Sequence, residues 1–348
     1  MSRKILILLL VFVLIVLLIG MNLRDAGETD AEASKIPIKV LILPKFELDG
    51  LEGDFPGEGQ FYFERYLRGA DSYEIPGGDE GTLLYVKDGI GFYLLGIGKT
   101  KAALNTMAVL SDPRFDFSDA WLFSTGCAGS AVGSTVMGDV FLITAAADYD
   151  LGHQADTRDM SEKTDVTWFQ NPDVQSGYVY TLDPELMEKT YSLVKDLTVK
   201  TTERTRNYMS AAFDGAEWAV RDPRVLRGTA VTGDNYWKGP YDHANALKIV
   251  ETYDCPDPFV VTEMEEIGVC AAAERMGMLD RLIILRDSVN MDVFMLGATP
   301  ERLWSDTTEE MALADENSVE AADIFPVSME NNFIVGSVII DAIMDGSF

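Results

Sequence analysis

Short apolar runs rich in β-branched residues alternate with segments of helical period along most of this chain, and that alternation restricts the fold to a sheet covered by helices. Residues 39–43 (KVLIL), 83–86, 91–95, 120–124 (AWLFS), 140–145 (VFLITA) and 228–232 read as strands. Helices are expected over 101–110, where Ala103, Leu104, Met107, Ala108 and Leu110 share one face before Asp112-Pro113, and over 184–197. A β-α-β unit follows, with a strand over 258–261, a helix over 265–278 and a strand over 281–285 (RLIIL), and a helix over 332–343 closes the chain. Strands that are apolar along their whole length are covered on both faces. The expectation is therefore one α/β domain over residues 37–348, a mixed, mostly parallel central sheet flanked by helices.

The amino terminus has a different grammar. Arg3 and Lys4 precede an apolar run over 5–19, and polar sequence rich in Asp, Glu and Ala follows. This is the pattern of an export signal; Gly20, Met21 and Leu23 would extend it into a membrane anchor. Residues 1–23 are read as a signal peptide or amino-terminal anchor and 24–36 as a linker. The domain is accordingly expected outside the cytoplasm, periplasmic or extracellular, or held at the membrane. Against 28 Lys and Arg stand 57 Asp and Glu, a net charge of -29 that repels phosphate backbones, so no nucleic-acid partner is expected. Cys127, Cys255 and Cys270 are too scattered for a disulfide framework and read as buried thiols. His153 and His243 lack partners at ligand spacing, so no metal site is expected.

Three stretches carry polar groups where a sheet would present them to a ligand. In the first, Gly96-Ile97-Gly98-Lys99-Thr100 and Gly126-Cys127-Ala128-Gly129 follow two strands. Glycines there admit a ligand close to the backbone, although tight turns explain them equally well. In the second, Glu263-Met264-Glu265-Glu266 opens a helix, where carboxylates favour the helix dipole or could hold a ribose diol. In the third, Arg286-Asp287-Ser288-Val289-Asn290-Met291-Asp292 comes just past a strand and could equally be an ordinary polar turn.

In this order, Gly-x-Gly before a helix, Gly-x-Ala-Gly after a strand, Met-Glu at a helix start and a polar strand end resemble the nucleoside phosphorylase superfamily. Leu110 to Asp116, Gly233-Asp234-Asn235-Tyr236-Trp237-Lys238-Gly239 and Arg286 to Asp292 resemble its purine nucleoside permease branch. The resemblance implies that Gly126 and Ala128 line base and sugar, that Met264 and Glu265 hold the ribose, and that Asn290 faces the purine. Asp287 and Asp292 are the nearby alternatives for proton transfer, and Tyr236 and Trp237 offer an aromatic face. Gly98, Lys99 and Lys45 stand where the superfamily binds phosphate with arginines, and lysine lacks the bidentate fork. Three functions remain open: an exported protein that captures purine nucleosides for uptake with a membrane transport partner, an envelope phosphorylase or hydrolase releasing free base and sugar, or an interaction protein that keeps the fold without its site. No cofactor is expected apart from phosphate as the co-substrate of phosphorolysis, and a homo-oligomer is implied by the same resemblance.

Overall fold

The computed structural model describes residues 34–294 and 324–348. The export segment and most of the linker lie outside the described residues.

After β1 (Ile36–Pro37) and β2 (Val40–Leu43) come α1 (Gln60–Tyr66), β3 (Asp71–Glu74), β4 (Leu83–Lys87), β5 (Ile90–Phe92), α2 (Lys99–Leu110) and β6 (Phe115–Asp116). The middle of the chain forms β7 (Trp121–Ser130), β8 (Val140–Asp148), β9 (Gly152–Gln154), β10 (Trp168–Gln170), β11 (Val179–Thr181), α3 (Pro184–Val194) and α4 (Glu203–Ala212). Then follow β12 (Val225–Thr232), α5 (Pro240–Thr252), β13 (Phe259–Glu263), α6 (Glu266–Arg275), β14 (Leu282–Met291) and α7 (Ile324–Asp345).

Ten strands form the main sheet in the order β11-β8-β12-β13-β7-β2-β5-β4-β3, with β14 pairing both β7 and β8. That double pairing closes β8, β12, β13, β7 and β14 into a ring. The sheet is mixed: β2 runs parallel to β5 and β7, β14 to β7, and β12 to β8 and β13, whereas β13 is antiparallel to β7 and β14 to β8. Every residue of β2 and β8 is buried, as the apolar runs required. Local signals agree at helix starts; Asp183 accepts from Leu186 N at 2.8 Å, with Pro184 at the first helical position of α3.

Two boundaries differ from the sequence expectation in a way that bears on function. The expected strands 120–124 and 281–285 continue to Ser130 and Met291, so the glycine-bearing and polar segments belong to β7 and β14. Strand pairing carries them; Arg286 pairs with Gly126 and Asp287 with Cys127. The last helix starts eight residues earlier than 332, at Ile324, with Pro326 in its first turn. It is long and apolar enough to cross a membrane, yet it packs on β14, β7 and β8 and is a core helix. Of the cysteines, Cys270 is buried, whereas Cys127 and Cys255 are partly exposed.

Helices α2 and α6 cross at a glycine. A Cβ on Gly268 would lie 2.2 Å from the carbonyl oxygen of Lys99. Alanine favours a helix by about 1 kcal/mol over glycine, but here the clash is with backbone that has no room to yield, and overpacking costs about 1–3 kcal/mol or more. Gly268→Ala is expected to lower the thermal midpoint. A raised midpoint would show that propensity outweighs the contact.

Candidate functional site

The carboxyl ends of β2, β5, β12 and β13 and the second halves of β7 and β14 surround a cavity of about 240 Å³. Cys127, Ala128 and Gly129 of β7 form one wall, and Arg286, Val289 and Asn290 of β14 another. An irregularity in the β14 pairing between Ser288 and Asn290 makes Val289 an extra residue, and Val289 and Asn290 both reach the cavity. Thr262, Glu263, Met264 and Glu265 enter from the end of β13 and the start of α6, and Asn235, Tyr236 and Trp237 from the loop after β12. Phe46, Glu58 and Ile97 complete the lining. Trp237 is 7% exposed and packs on Tyr149, ring centroids 5.4 Å apart, whereas Tyr236 is 54% exposed.

Charge is concentrated on one side. Arg286, 1% exposed, reaches Glu263 at 3.2 Å and Glu265 at 3.1 Å through one terminal nitrogen, Glu266 through Nε at 2.8 Å, and the carbonyl of Cys127 at 2.8 Å. Glu266 also takes Lys45 Nζ at 3.1 Å and the Ser124 hydroxyl at 2.8 Å. Burial opposes ionisation of Glu266, but the Lys45 and Arg286 charges outweigh it and hold the carboxyl down near about 2. Glu263 goes the other way, pushed up to about 7 by burial and its glutamate neighbours despite Arg286. Its Oε2 accepts from the backbone N–H of Glu265 at 2.6 Å and of Glu266 at 2.9 Å, capping α6.

Glu58 is the carboxylate that sequence reasoning missed. It accepts from the backbone N–H of Lys45 at 2.8 Å and of Cys127 at 2.9 Å, and burial raises its pKa above the usual carboxylate range. Its sequence setting, Gly57-Glu58-Gly59, looks like a solvated loop. The one sequence trace of its position is remote: a Cβ on Gly126 would lie 2.7 Å from the Glu58 carboxylate, so β7 needs glycine there.

Of the sequence-predicted residues, Ala128, Met264, Glu265, Asn290, Tyr236 and Trp237 are brought together on the cavity. Asn290 donates through Nδ2 to the carbonyl of Met291 at 3.1 Å. Gly126 is not in the lining, because Glu58 covers it. Asp287 is fully buried away from the cavity and accepts from Asn332 Nδ2 at 2.8 Å; strand alternation turns it toward α7. Asp292 is also off the cavity, held by Val132 N at 2.9 Å and His243 Nδ1 at 2.6 Å. Neither carboxyl is placed to exchange a proton with a ligand in this cavity.

The three phosphate candidates fall outside the lining as well, and each already meets a carboxylate. Lys45 pairs with Glu266, and Lys99 with Asp148 and Asp150, both at 2.8 Å. The backbone N–H of Gly98 donates to Glu265 Oε1 at 3.1 Å.

A model of the purine nucleoside permease (NUP) family matches residues 37–347. A relative from Schizosaccharomyces pombe, described as "Probable purine nucleoside permease", is 23% identical over 222 residues, which are 57% of this chain and 63% of the relative. The match thus spans less than two thirds of that relative's length. Among solved structures, the 5′-methylthioadenosine/S-adenosylhomocysteine nucleosidase from Neisseria meningitidis, in complex with methylthio-immucillin-A, aligns with a TM-score of 0.52 at 15% identity, covering 87% of this chain and 99% of that one. A futalosine hydrolase mutant of Helicobacter pylori aligns with a TM-score of 0.53 at 15% identity over 87% and 99%. At such identities the likeness is one of fold, and the fold is shared almost end to end. With the family model running from the first strand through the last helix, the chain belongs to the purine nucleoside permease (NUP) family.

Proposed function

We propose that this chain binds a purine nucleoside in the cavity described above and serves nucleoside uptake outside the cytoplasm. The observation that carries the reading is the convergence of Met264, Glu265, Asn290, Tyr236 and Trp237, from three separate segments, on one cavity. A fixed carboxylate suits the hydroxyls of a ribose, an amide suits the edge of a base, and aromatic walls suit its face. The family and the fission yeast relative support the ligand class. The apolar segment over 5–19 supports export. Among the described residues the one helix apolar enough to cross a membrane is the core helix α7, so passage of the nucleoside falls to a separate membrane partner.

Cleavage of the N-glycosidic bond is the second reading, favoured by Glu58. A desolvated carboxyl on a cavity wall, held by two backbone N–H groups, is the kind of group that takes or gives a proton.

Inosine, adenosine and guanosine distinguish the readings when added to the purified protein with and without phosphate. Binding is expected to stabilise the fold by about 2.7 kcal/mol at a ligand concentration about a hundred times Kd, read as a rise in thermal midpoint. Free base would mark cleavage, and its absence beside stabilisation would mark capture. Glu265→Ala and Asn290→Ala are each expected to lose most of the stabilisation. No response to any of the three nucleosides by the wild-type chain would overturn the proposal.

A further inference from the structure

We infer that the cavity selects its ligand by charge: it admits an uncharged nucleoside and refuses phosphate, both as a 5′-substituent and as a free co-substrate. This inference rests on the nucleoside reading and sharpens it.

A phosphate site needs a cation with spare hydrogen bonds or a helix amino terminus with open N–H groups. The cation in the lining, the two lysines beside the strand ends and the leading N–H groups of two helices already carry a carboxylate of the chain. Arg286, the one cation in the lining among the described residues, is shared by Glu263, Glu265 and Glu266. At the start of α2, Gly98 N donates to Glu265 and Lys99 N to Asp234 at 2.8 Å. At the start of α6, the N–H groups of Glu265 and Glu266 donate to Glu263. Lys45 and Lys99, beside the two strand ends, are paired with Glu266 and with Asp148 and Asp150.

What remains facing the ligand is rich in carboxyl groups. Glu58, Glu263 and Glu265 line the cavity against one guanidinium, and Glu58 is held by the backbone N–H groups of Lys45 and Cys127. A phosphate entering this space meets like charge in a poorly screened interior, and such juxtaposition is strongly unfavourable. To bind, it would have to displace a glutamate from Arg286 and leave that glutamate buried and unpaired. A ribose loses nothing by the same arrangement, because its hydroxyls donate to carboxylates. If the glycosidic bond is cleaved, water therefore supplies the oxygen: it bonds to the sugar C1′, the C1′–N bond breaks with its electron pair leaving on the base, and the base takes up one proton as water loses one.

Calorimetric titration of the full chain with adenosine, inosine and guanosine, and with their 5′-monophosphates, tests this. Each monophosphate is expected to bind at least about 100-fold more weakly than its nucleoside. Glu58→Gln, which replaces an ionisable carboxyl by a neutral group of the same shape, is expected to narrow that ratio. Inorganic phosphate is expected neither to stabilise the protein nor to accelerate any release of base. Monophosphates binding as tightly as nucleosides, or base release that depends on phosphate, would overturn the charge selection while leaving nucleoside binding intact. Binding of neither ligand class would overturn both.

Discussion

Replacing Arg286 with methionine is expected to destabilise the protein by at least about 3–5 kcal/mol at neutral pH, the cost of removing one partner from a buried ion pair. Against a typical total of about 5–15 kcal/mol, that is a large fraction of the stability. The guanidinium is 1% exposed and is the shared counterion of Glu263, Glu265 and Glu266. Without it, Lys45 still pairs with Glu266, but Glu263 and Glu265 keep no cation among the described residues. Methionine would fill most of the space, so a cavity is not the cause of the loss. Arg286→Lys is expected to be milder yet still harmful, because an ammonium cannot address three carboxylates and a carbonyl with one planar fork. The pH dependence identifies the mechanism. Glutamates deprived of their cation bind protons more readily, so the defect of Arg286→Met shrinks as pH falls from 8 to 5. Urea midpoints at the two pH values measure it; a variant within about 1 kcal/mol of wild type at pH 8 would mean the glutamates do not depend on Arg286.

The same charge cluster explains where the sequence was legible and where it was not. The runs at 39–43 and 140–145 announce themselves because a strand buried on both faces must be apolar, and β2 and β8 form there. In β7 and β14 the apolar run stops at Thr125 and Arg286 while the strand continues, since buried charges there pair with one another and polar sequence no longer signals exposure. For that reason the sequence alone leaves Asp287 open to a ligand or to an ordinary polar turn, whereas the strand buries it against α7. Met264, Glu265 and Asn290 could be picked out because their order along the chain matches a family pattern. Glu58 could not, since what brings it to the cavity is a contact with Gly126 across 68 positions of sequence. Lys45 and Lys99 looked available to phosphate because no local pattern reveals that Glu266, Asp148 and Asp150 already hold them.

Asp287→Asn is expected to stabilise the protein above pH 7 and to leave it nearly unchanged near pH 4. The wild-type side chain is fully buried between β14 and α7, where Oδ1 accepts from Asn332 Nδ2 at 2.8 Å and Oδ2 has no partner among the described residues. Burial pushes its pKa up to about 7, with the negative charge of Glu58 adding and the nearby polar groups of Ser328 and Asn332 and the charge of Arg286 opposing. In the unfolded chain an aspartate titrates near about 3.9. The folded state therefore holds the proton more tightly. The group's full contribution is present below about pH 4, declines as pH rises toward 7, and changes no further above that. A difference of roughly three pH units corresponds to about 4 kcal/mol as an upper figure. Asparagine keeps the acceptor for Asn332 and places an unpaired N–H where the protonated acid has an unpaired O–H, so the two forms are matched at low pH and only the ionisation cost is removed. Glu263 and Glu47, also raised to about 7, preserve part of the downward slope in the variant. Urea midpoints from pH 4 to pH 9 should thus diverge progressively, with the variant on the stable side. Parallel curves would show that Asp287 ionises in the fold at little cost and that the orphaned Oδ2 has a partner in solution.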